Sequence, residues 1–335
     1  MFREAAEAGR VVRAQLERNR AAAEDLGREL RGLRPRAVVT CARGSSDHAA
    51  TYAKYLVETR LGVLTASAAP SIASVYRSSQ DLRGCLFIAI SQSGGSPDVL
   101  AAAQAAARAG AFVLALVNDE ASPLAREARH CLPLCAGVEE SVAATKTYIA
   151  SLAAIAHIVA AWSEDARLLE ALAGSPAALE RAWELPWDAA IDPLREASHL
   201  FVIARGVGLA VAQEAALKCK ETCGLHAESF SSAEVRHGPQ ALLEGGFPAL
   251  VLAQDDETRP GIEAFARELA SRGVATLCAG VDAPGTTVLP TIEAHPAIQP
   301  LLLAQSFYRL ANALAVARGH DPDRPPNLRK VTRTL

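Results

Sequence analysis

The sequence lacks the features of a secreted, membrane-spanning or nucleic-acid-binding protein. It has 34 basic against 37 acidic residues, so it carries no basic field of the kind that nucleic-acid binding or a polybasic membrane patch requires. Its longest apolar run, Tyr148 to Trp162, falls short of the about 20 residues that span a bilayer. The first residues, MFREAAEAGRVVRAQLERNR, show no signal-peptide pattern. These absences predict a cytoplasmic protein with no nucleic-acid or membrane partner.

The sequence also lacks the cysteine patterns of a disulfide framework and of a zinc site. Its seven cysteines are odd in number and dispersed, and none forms a CxxC pair. A chain of 335 residues is large enough to build its own cores, so these cysteines indicate a reducing compartment. Cys219 and Cys223 have no partners at zinc-binding spacing. We therefore expect no metal and no cofactor.

What the sequence does contain is an alternation of apolar runs and alanine-rich helical stretches. The runs are nearly continuous in Val, Ile, Leu and Ala, which is typical of parallel strands buried on both faces and joined by helical crossovers. The predicted strands of the first half are 37–42, 62–67, 86–91, 111–118 and 131–135. The predicted helices there are 46–60, 96–109, one beginning at Ser122, and 144–162.

After Pro186 the same order of elements begins again. Segment 200–205 corresponds to 37–42, 248–253 to 86–91, 273–281 to 111–118, and helix 300–319 to helix 144–162. The chain is therefore predicted to be a tandem duplication of one α/β unit. The predicted domains are an N-terminal helix (1–33), a first unit (34–163), a linker helix (164–186), a second unit (187–319) and a C-terminal tail (320–335).

Hydroxyl-rich segments follow the first and third predicted strands. In an open parallel sheet, ligands bind beyond the carboxyl ends of the strands. RGSSDH (43–48) and SQSGGSPD (91–98) each supply a glycine, several hydroxyls and a helix start, a combination that suits phosphate. One such loop is explained equally well by a serine that caps a helix. Two loops in one sheet, with SVAATKT (141–147) opening the next helix, favour a phosphate site.

The second half carries a polar cluster on a helix predicted over 214–239. Lys218 lies three residues before Glu221 and four after Glu214. Such spacing is also that of surface ion pairs, which stabilise a helix by about 0.3–0.5 kcal/mol. His237 stands just before Gly-Pro and, taken alone, is explained more simply as a turn residue. Taken alone, these residues do not establish a site.

Four motifs in this order, however, closely resemble the sugar isomerase (SIS) family. They are SQSGGSPD, VAATKT, LKCKETCGLHAESFSSAEVRHGP and DPDRPPNLRKVT. The match covers 37–335 and is specifically to the isomerase half of glucosamine-6-phosphate synthase and to stand-alone SIS-type glucosamine-6-phosphate deaminases. The resemblance implies an α/β fold of two tandem flavodoxin-like SIS units with parallel sheets flanked by helices, which agrees with the duplication.

The resemblance also implies which residues bind the sugar phosphate. They are Ser45, Ser46, Ser91, Gln92, Ser93, Ser96, Val142 and Ala144. Ser96 stands where threonine is usual and keeps the hydroxyl, whereas Ala144 replaces a serine and removes one contact. Arg43 stands where the synthase has cysteine, and Pro326 replaces an arginine that is common in the synthase tail.

By the same resemblance, Glu221 is the base that moves a proton between C1 and C2, and Lys218 lies beside it. His237 assists ring opening and is typically lent by the neighbouring subunit, which predicts a homodimer with a shared active site. Lys330 meets the carbonyl of the open-chain ketose. These residue types fit the chemistry, because enediol formation needs a carboxylate base and carbonyl attack needs a neutral lysine.

The expected reaction follows from what precedes the isomerase half in the synthase. The sequence begins MFREAAEAGR and shows no glutaminase domain, which favours conversion of glucosamine 6-phosphate to fructose 6-phosphate and ammonia. The alternatives are a galactosamine-6-phosphate deaminase, a fructosamine-phosphate deglycase and a non-catalytic sugar-phosphate sensor. The absence of a helix-turn-helix segment before residue 37 and the retained Glu221, His237 and Lys330 count against the sensor. The C4 epimer, the amine substituent, allostery and the physiological direction stay open.

Overall fold

Helices and strands alternate along residues 1–330, the part of the chain that the computed structural model describes. Those up to residue 163 are α1 (Phe2–Ala6), α2 (Ala8–Leu33), β1 (Ala37–Cys41), α3 (Ser45–Leu61), β2 (Thr65–Ser67), α4 (Ser71–Ser74), β3 (Cys85–Ser91), α5 (Pro97–Arg108), β4 (Phe112–Val117), α6 (Pro123–Glu127), β5 (His130–Pro133) and α7 (Lys146–Ser163). Every strand and helix predicted for this half is present, although β2 is shorter than predicted.

The second half contains α8 (Ala166–Glu184), α9 (Ile191–Arg195), β6 (His199–Ala204), α10 (Leu209–Cys223), β7 (His226–Ser231), β8 (Ala249–Leu252), α11 (Arg259–Ser271), β9 (Thr276–Ala279), β10 (Thr287–Leu289) and α12 (Gln299–Ala317). Short 3₁₀ turns lie at Asp188–Ala190, Gly206–Gly208, Glu234–His237 and Pro239–Leu242. Among the described residues, no helix is both long and apolar enough to cross a membrane.

The two sheets have the same strand order. The first runs β2-β1-β3-β4-β5 and the second runs β7-β6-β8-β9-β10, and all neighbouring strands are parallel. In sheet position, β6 therefore corresponds to β1, β7 to β2, β8 to β3, β9 to β4 and β10 to β5. All residues of β3, β4, β8 and β9 are buried, as expected for strands covered on both faces. The predicted duplication and the flavodoxin-like strand order are confirmed.

By contacts, the chain divides into two units. The N-terminal unit comprises residues 10–139 and 146–174 with the tail residues 329–330, and the C-terminal unit comprises 1–9, 140–145 and 175–328. Each unit contains one of the two sheets. The linear domain bounds predicted from the sequence stay a prediction.

One helix packs on each sheet in the equivalent place and fixes the loop before it. In the N-terminal unit, Val99, Ala102 and Ala106 of α5 lie in a core cluster with Phe87 and Val113 of β3 and β4. In the C-terminal unit, α11 packs on β6 and β8 in the same way through Ile262, Phe265, Ala266 and Leu269.

The helix predicted over 214–239 is wrong in its second part. α10 ends at Cys223, because Gly224 has φ +57 and its left-handed conformation stops the helix. The chain then forms β7, an edge strand paired with β6, and turns at Glu234–His237. Gly238 has φ +141, which glycine adopts far more readily than other residues. His237 therefore belongs to a turn and not to the helix that carries Glu221.

Candidate functional site

The loop of residues 91–96, which we call the serine loop, joins the end of β3 to α5. The hydroxyl oxygen of Ser91 accepts a hydrogen bond from the Gly94 N–H at 3.1 Å, and that of Ser93 accepts one from the Gly95 N–H at 3.3 Å. Gly94 has φ +58, and a Cβ there would lie 2.5 Å from the Ser122 Cβ. Only glycine therefore fits at residue 94, where the chain turns between β3 and α5.

Ser96 is the last residue before α5, yet its side chain makes no capping bond to the helix within the described residues. A mere capping role for Ser96, the alternative that the sequence left open, therefore has no support in the geometry. The backbone N–H groups at the start of a helix attract anions. The serine loop thus carries serine hydroxyls directly before a helix N-terminus, and phosphate binding by Ser91, Ser93 and Ser96 stays a prediction.

Arg43, in the loop after β1, bonds to the first turn of α5, the helix that follows the serine loop. Its Nε and Nη2 atoms both lie 2.8 Å from Oδ2 of Asp98 in the first turn of α5. The Asp98 side chain is fully buried, whereas that of Arg43 is about half exposed. Ser45 and Ser46 open α3 directly after Gly44, which has φ +55. The arginine that departs from the synthase pattern therefore has a definite partner, which the sequence reasoning missed.

Glu139 is a second residue that the sequence reasoning missed. Its buried carboxylate accepts hydrogen bonds from the Thr147 hydroxyl at 2.7 Å and from the Thr147 N–H at 3.3 Å, in the first turn of α7. Its Oε2 atom also lies 3.2 Å from Nε2 of Gln92 and 3.2 Å from Nζ of Lys330. The tail lysine and the glutamine of the serine loop are thus bound to one carboxylate.

Asn118 supports the same region from the end of β4. Its N–H bonds the carbonyl of Gln92 at 3.1 Å. Its side chain donates to the Gly137 carbonyl at 2.7 Å and accepts from the Ala136 N–H at 2.8 Å. Asn118 therefore fixes the serine loop to the segment that leads to Glu139. Its place at the end of a predicted strand was the available signal.

The C-terminal unit contains a buried lysine between two carboxylates. Lys218 is fully buried on α10, with Nζ 3.4 Å from Oε1 of Glu214 and bonded to Oε2 of Glu221. The Tyr308 hydroxyl donates to Oε1 of Glu214 at 2.9 Å. Burial acts to lower the pKa of Lys218, but the carboxylates of Glu214 and Glu221 outweigh it and raise that pKa above its ordinary value. The surface ion pair that the spacing allowed is excluded by this burial.

The predicted residues therefore fall into two groups, one in each unit. Ser91, Gln92, Ser93, Ser96 and Lys330 lie in the N-terminal unit. Glu221, Lys218 and the exposed His237 lie in the C-terminal unit, together with Val142 and Ala144. In that unit the carboxylate of Glu4 accepts from the N–H of Glu140 and from that of Ser141 at 3.2 Å, which holds the start of the 140–145 segment. Across residues 1–330, His, Cys, Asp and Glu side chains form no cluster of three or more that could hold a metal ion.

The architecture defines a class, a repeated parallel α/β unit with a serine-rich loop before a helix in one copy and a buried lysine between two carboxylates in the other. The SIS domain model matches residues 34–161 and 193–285. The chain belongs to the SIS family, and the resemblance read from the sequence is confirmed.

Three known proteins illustrate the relationship. The glutamine–fructose-6-phosphate aminotransferase (isomerizing) of Aeropyrum pernix is 36% identical over 308 residues, which cover 86% of this chain and 49% of the relative. The chain thus spans about half the length of the curated relatives it matches. The solved structure of a candidate phosphosugar isomerase from Silicibacter pomeroyi DSS-3 is 42% identical, with a TM-score of 0.93, covering 96% of this chain and 99% of that one. The C-terminal domain of glucosamine-fructose-6-phosphate aminotransferase from Francisella tularensis is 25% identical, with a TM-score of 0.86, covering 96% and 97%.

Proposed function

We propose that this chain is an aldose–ketose isomerase and deaminase that converts glucosamine 6-phosphate to fructose 6-phosphate and ammonia. The observation that carries the proposal is the amine of Lys330, which lies 3.2 Å from the same carboxylate that holds Gln92 of the serine loop. Hydroxyls and N–H groups suffice to bind a phosphate, but an amine at that place, once it has given up its proton, suits reaction with a carbonyl or imine carbon.

The serine loop is the proposed site of the 6-phosphate. Because the oxygens of Ser91 and Ser93 already accept bonds from glycine N–H groups, their hydroxyl hydrogens are left to donate to an anion. The start of α5 adds a favourable dipole. A phosphate held in this way needs no arginine or lysine within the loop.

Glu221 is the proposed base. Its side chain is 21% exposed, whereas that of Glu214, the other carboxylate on Lys218, is 1% exposed. Glu221 is therefore the member of the pair that a ligand can reach. Lys218 stays charged between them and stabilises negative charge, while Tyr308 and Glu214 hold it in place.

The reaction is balanced with water as the only second substrate. In the open-chain amino sugar, the base removes the C2 proton and a proton is delivered to C1, while the C2 amine gives up one proton and O1 gains one, so that the aldehyde becomes a CH2OH group and the amine an imine. Water adds to C2 and ammonia leaves, which gives the ketose. Lys330 can add to C2 in place of water and displace ammonia, and hydrolysis of the resulting imine then returns the free lysine. The name of the Aeropyrum pernix relative supports a fructose 6-phosphate skeleton.

The proposed enzyme acts in the cytoplasm as a homodimer in which His237 serves the neighbouring subunit. Mixing Glu221→Gln and His237→Ala variants under conditions of subunit exchange tests this arrangement. If the two residues come from different subunits, each mixed dimer contains one intact site, so random pairing restores about a quarter of wild-type activity. A monomer in light scattering with full activity, or no restored activity, would contradict it.

The decisive experiment measures ammonia release from glucosamine 6-phosphate by the purified protein. A panel of galactosamine 6-phosphate, N-acetylglucosamine 6-phosphate and a fructosamine 6-phosphate fixes the C4 epimer and the amine substituent. Exclusive activity on another member of the panel would overturn the glucosamine assignment. Binding of the sugar phosphates without turnover of any of them would overturn the enzyme assignment in favour of a sensor.

A further inference from the structure

Glu139 joins three separate parts of the N-terminal unit. Its side chain has no exposed surface, and it is bonded to Gln92, Thr147 and Lys330. Gln92 lies 47 positions from it and Lys330 lies 191 positions from it in the chain. These contacts tie the serine loop, the start of α7 and the C-terminal tail to one carboxylate.

The contacts around Glu139 are those of an acceptor that meets several donors. Thr147 brings two donors, its hydroxyl and its N–H, and Gln92 and Lys330 each bring one through side-chain nitrogen. A carboxylate offers about four acceptor positions and no donor, which matches this set. An amide at residue 139 would direct its own N–H groups at some of these donors. The N-terminus of α7 also favours a negative charge here.

We propose that Glu139 is a positioning residue that holds the amine of Lys330 at a fixed place beside Gln92. The proposal rests on the function proposed above for Lys330 and the serine loop. Lys330 belongs to the C-terminal tail and its side chain is 24% exposed, so contacts such as that with Glu139 determine where its amine stands. A misplacement of about 1 Å can cost roughly 100-fold in rate, which makes this anchor important for the reaction.

The test compares Glu139→Gln with Glu140→Gln, which removes the exposed neighbouring carboxylate. Fructose 6-phosphate and borohydride serve as the probe. The Lys330 amine adds to C2 and water leaves, and borohydride reduces the C=N bond to a secondary amine that peptide mass spectrometry locates. We expect kcat and the trapping rate to fall about 100-fold in Glu139→Gln and to stay at the wild-type level in Glu140→Gln. Affinity for inorganic phosphate should change much less, and Glu139→Asp should recover part of both rates.

Equal kcat and trapping in the two glutamine variants would overturn the proposal while leaving the proposed function intact. A parallel fall of kcat, phosphate affinity and unfolding midpoint would also overturn it, because that pattern indicates a purely structural role. If Glu139→Gln does not fold, Glu139→Asp and Thr147→Val are measured in the same way.

Acylation of Lys330, followed by mass spectrometry, tests the anchoring role of Glu139 independently of the proposed deaminase activity. It needs no turnover, so it applies even if the wild-type protein releases no ammonia and traps no ketose. Faster acylation in Glu139→Gln than in Glu140→Gln supports the anchor. Equal acylation rates in the two variants would overturn it.

Discussion

The loops that follow β3 and β8 occupy equivalent places in two copies of one fold. Aligning Ala253 with Ser91, as the repeat predicts, brings Gln254 onto Gln92, while acidic residues at 255–257 take the place of serine and glycine at 93–95. Asp256 accepts bonds from the Thr258 N–H at 2.9 Å and from Nε2 of Gln254 at 2.7 Å. This acidic loop of residues 253–258 binds its own donors and repels a phosphate.

The loops after β1 and β6 also differ, and again only the loop of the N-terminal unit carries hydroxyl side chains. After β1, Ser45 and Ser46 supply hydroxyls, whereas after β6 the chain has Val207 and Gly208. Gly208 packs against Oε1 of Gln254, so a Cβ there would clash with it. The duplicated unit therefore has the same sheet in both copies, but only the N-terminal copy carries the serine loop, the proposed phosphate site. Function lies in the loops and in α10, and the shared fold only places them.

The largest expected effect comes from the proposed base, Glu221. It lies on α10 of the C-terminal unit, apart from the serine loop of the N-terminal unit. Glu221→Gln should lower kcat for ammonia release by about 10²- to 10⁴-fold and leave inorganic phosphate binding unchanged. Glu228→Gln, which removes an exposed carboxylate on β7, is the matched control. Loss of phosphate binding together with kcat in Glu221→Gln would contradict the division of roles between the two copies.

Much of this fold could be predicted from the sequence, because parallel strands buried on both faces appear as continuous apolar runs. β7 was missed because HAESFS is an edge strand with mostly exposed or half-buried residues. The burial of Lys218 could not be predicted, since a lysine between glutamates at helical spacing is also the pattern of a solvent-exposed helix face. Glu139 could not be found because its contacts come from distant parts of the chain.

The second prediction copies the acidic loop into the serine loop. Ser93→Asp places a carboxylate where Asp255 stands in the other copy, whereas Ser93→Asn is a neutral control of the same size. Like charges about 4 Å apart cost about 1 kcal/mol in water and about 4 kcal/mol near a protein surface. The affinity for phosphate and for the sugar phosphate should therefore fall roughly 5- to 1000-fold relative to Ser93→Asn. Calorimetric titration at fixed ionic strength measures it, and equal affinities would place the phosphate elsewhere.

A third prediction uses Gly94, which aligns with Asp256 of the acidic loop. Gly94→Ala puts a Cβ on a residue with φ +58 and against the side chain of Ser122. The left-handed conformation alone costs about 1–2 kcal/mol, so the unfolding midpoint should fall and KM should rise. Gly95→Ala is the control, because its Cβ would come no closer than 3.8 Å to the Ser93 hydroxyl oxygen. If both variants behave alike, the tight turn of the serine loop does not matter for phosphate binding.

The smallest effect concerns pH and the buried Lys218 of the C-terminal unit. Its carboxylate partners raise the pKa of Lys218 above the ordinary value of 10.5, so the folded state holds this proton more tightly than the unfolded state. The stabilisation is fully present below pH 10.5 and is lost as the pH rises through the folded pKa, with each pKa unit worth about 1.4 kcal/mol. Chemical unfolding between pH 9 and 12, about the range around the lysine pKa, should show a loss of stability that is reduced in Lys218→Met. Lys220→Met, which removes the exposed lysine two positions away, should keep the wild-type profile, and a flattened profile in both variants would assign the alkaline loss to general surface charge instead.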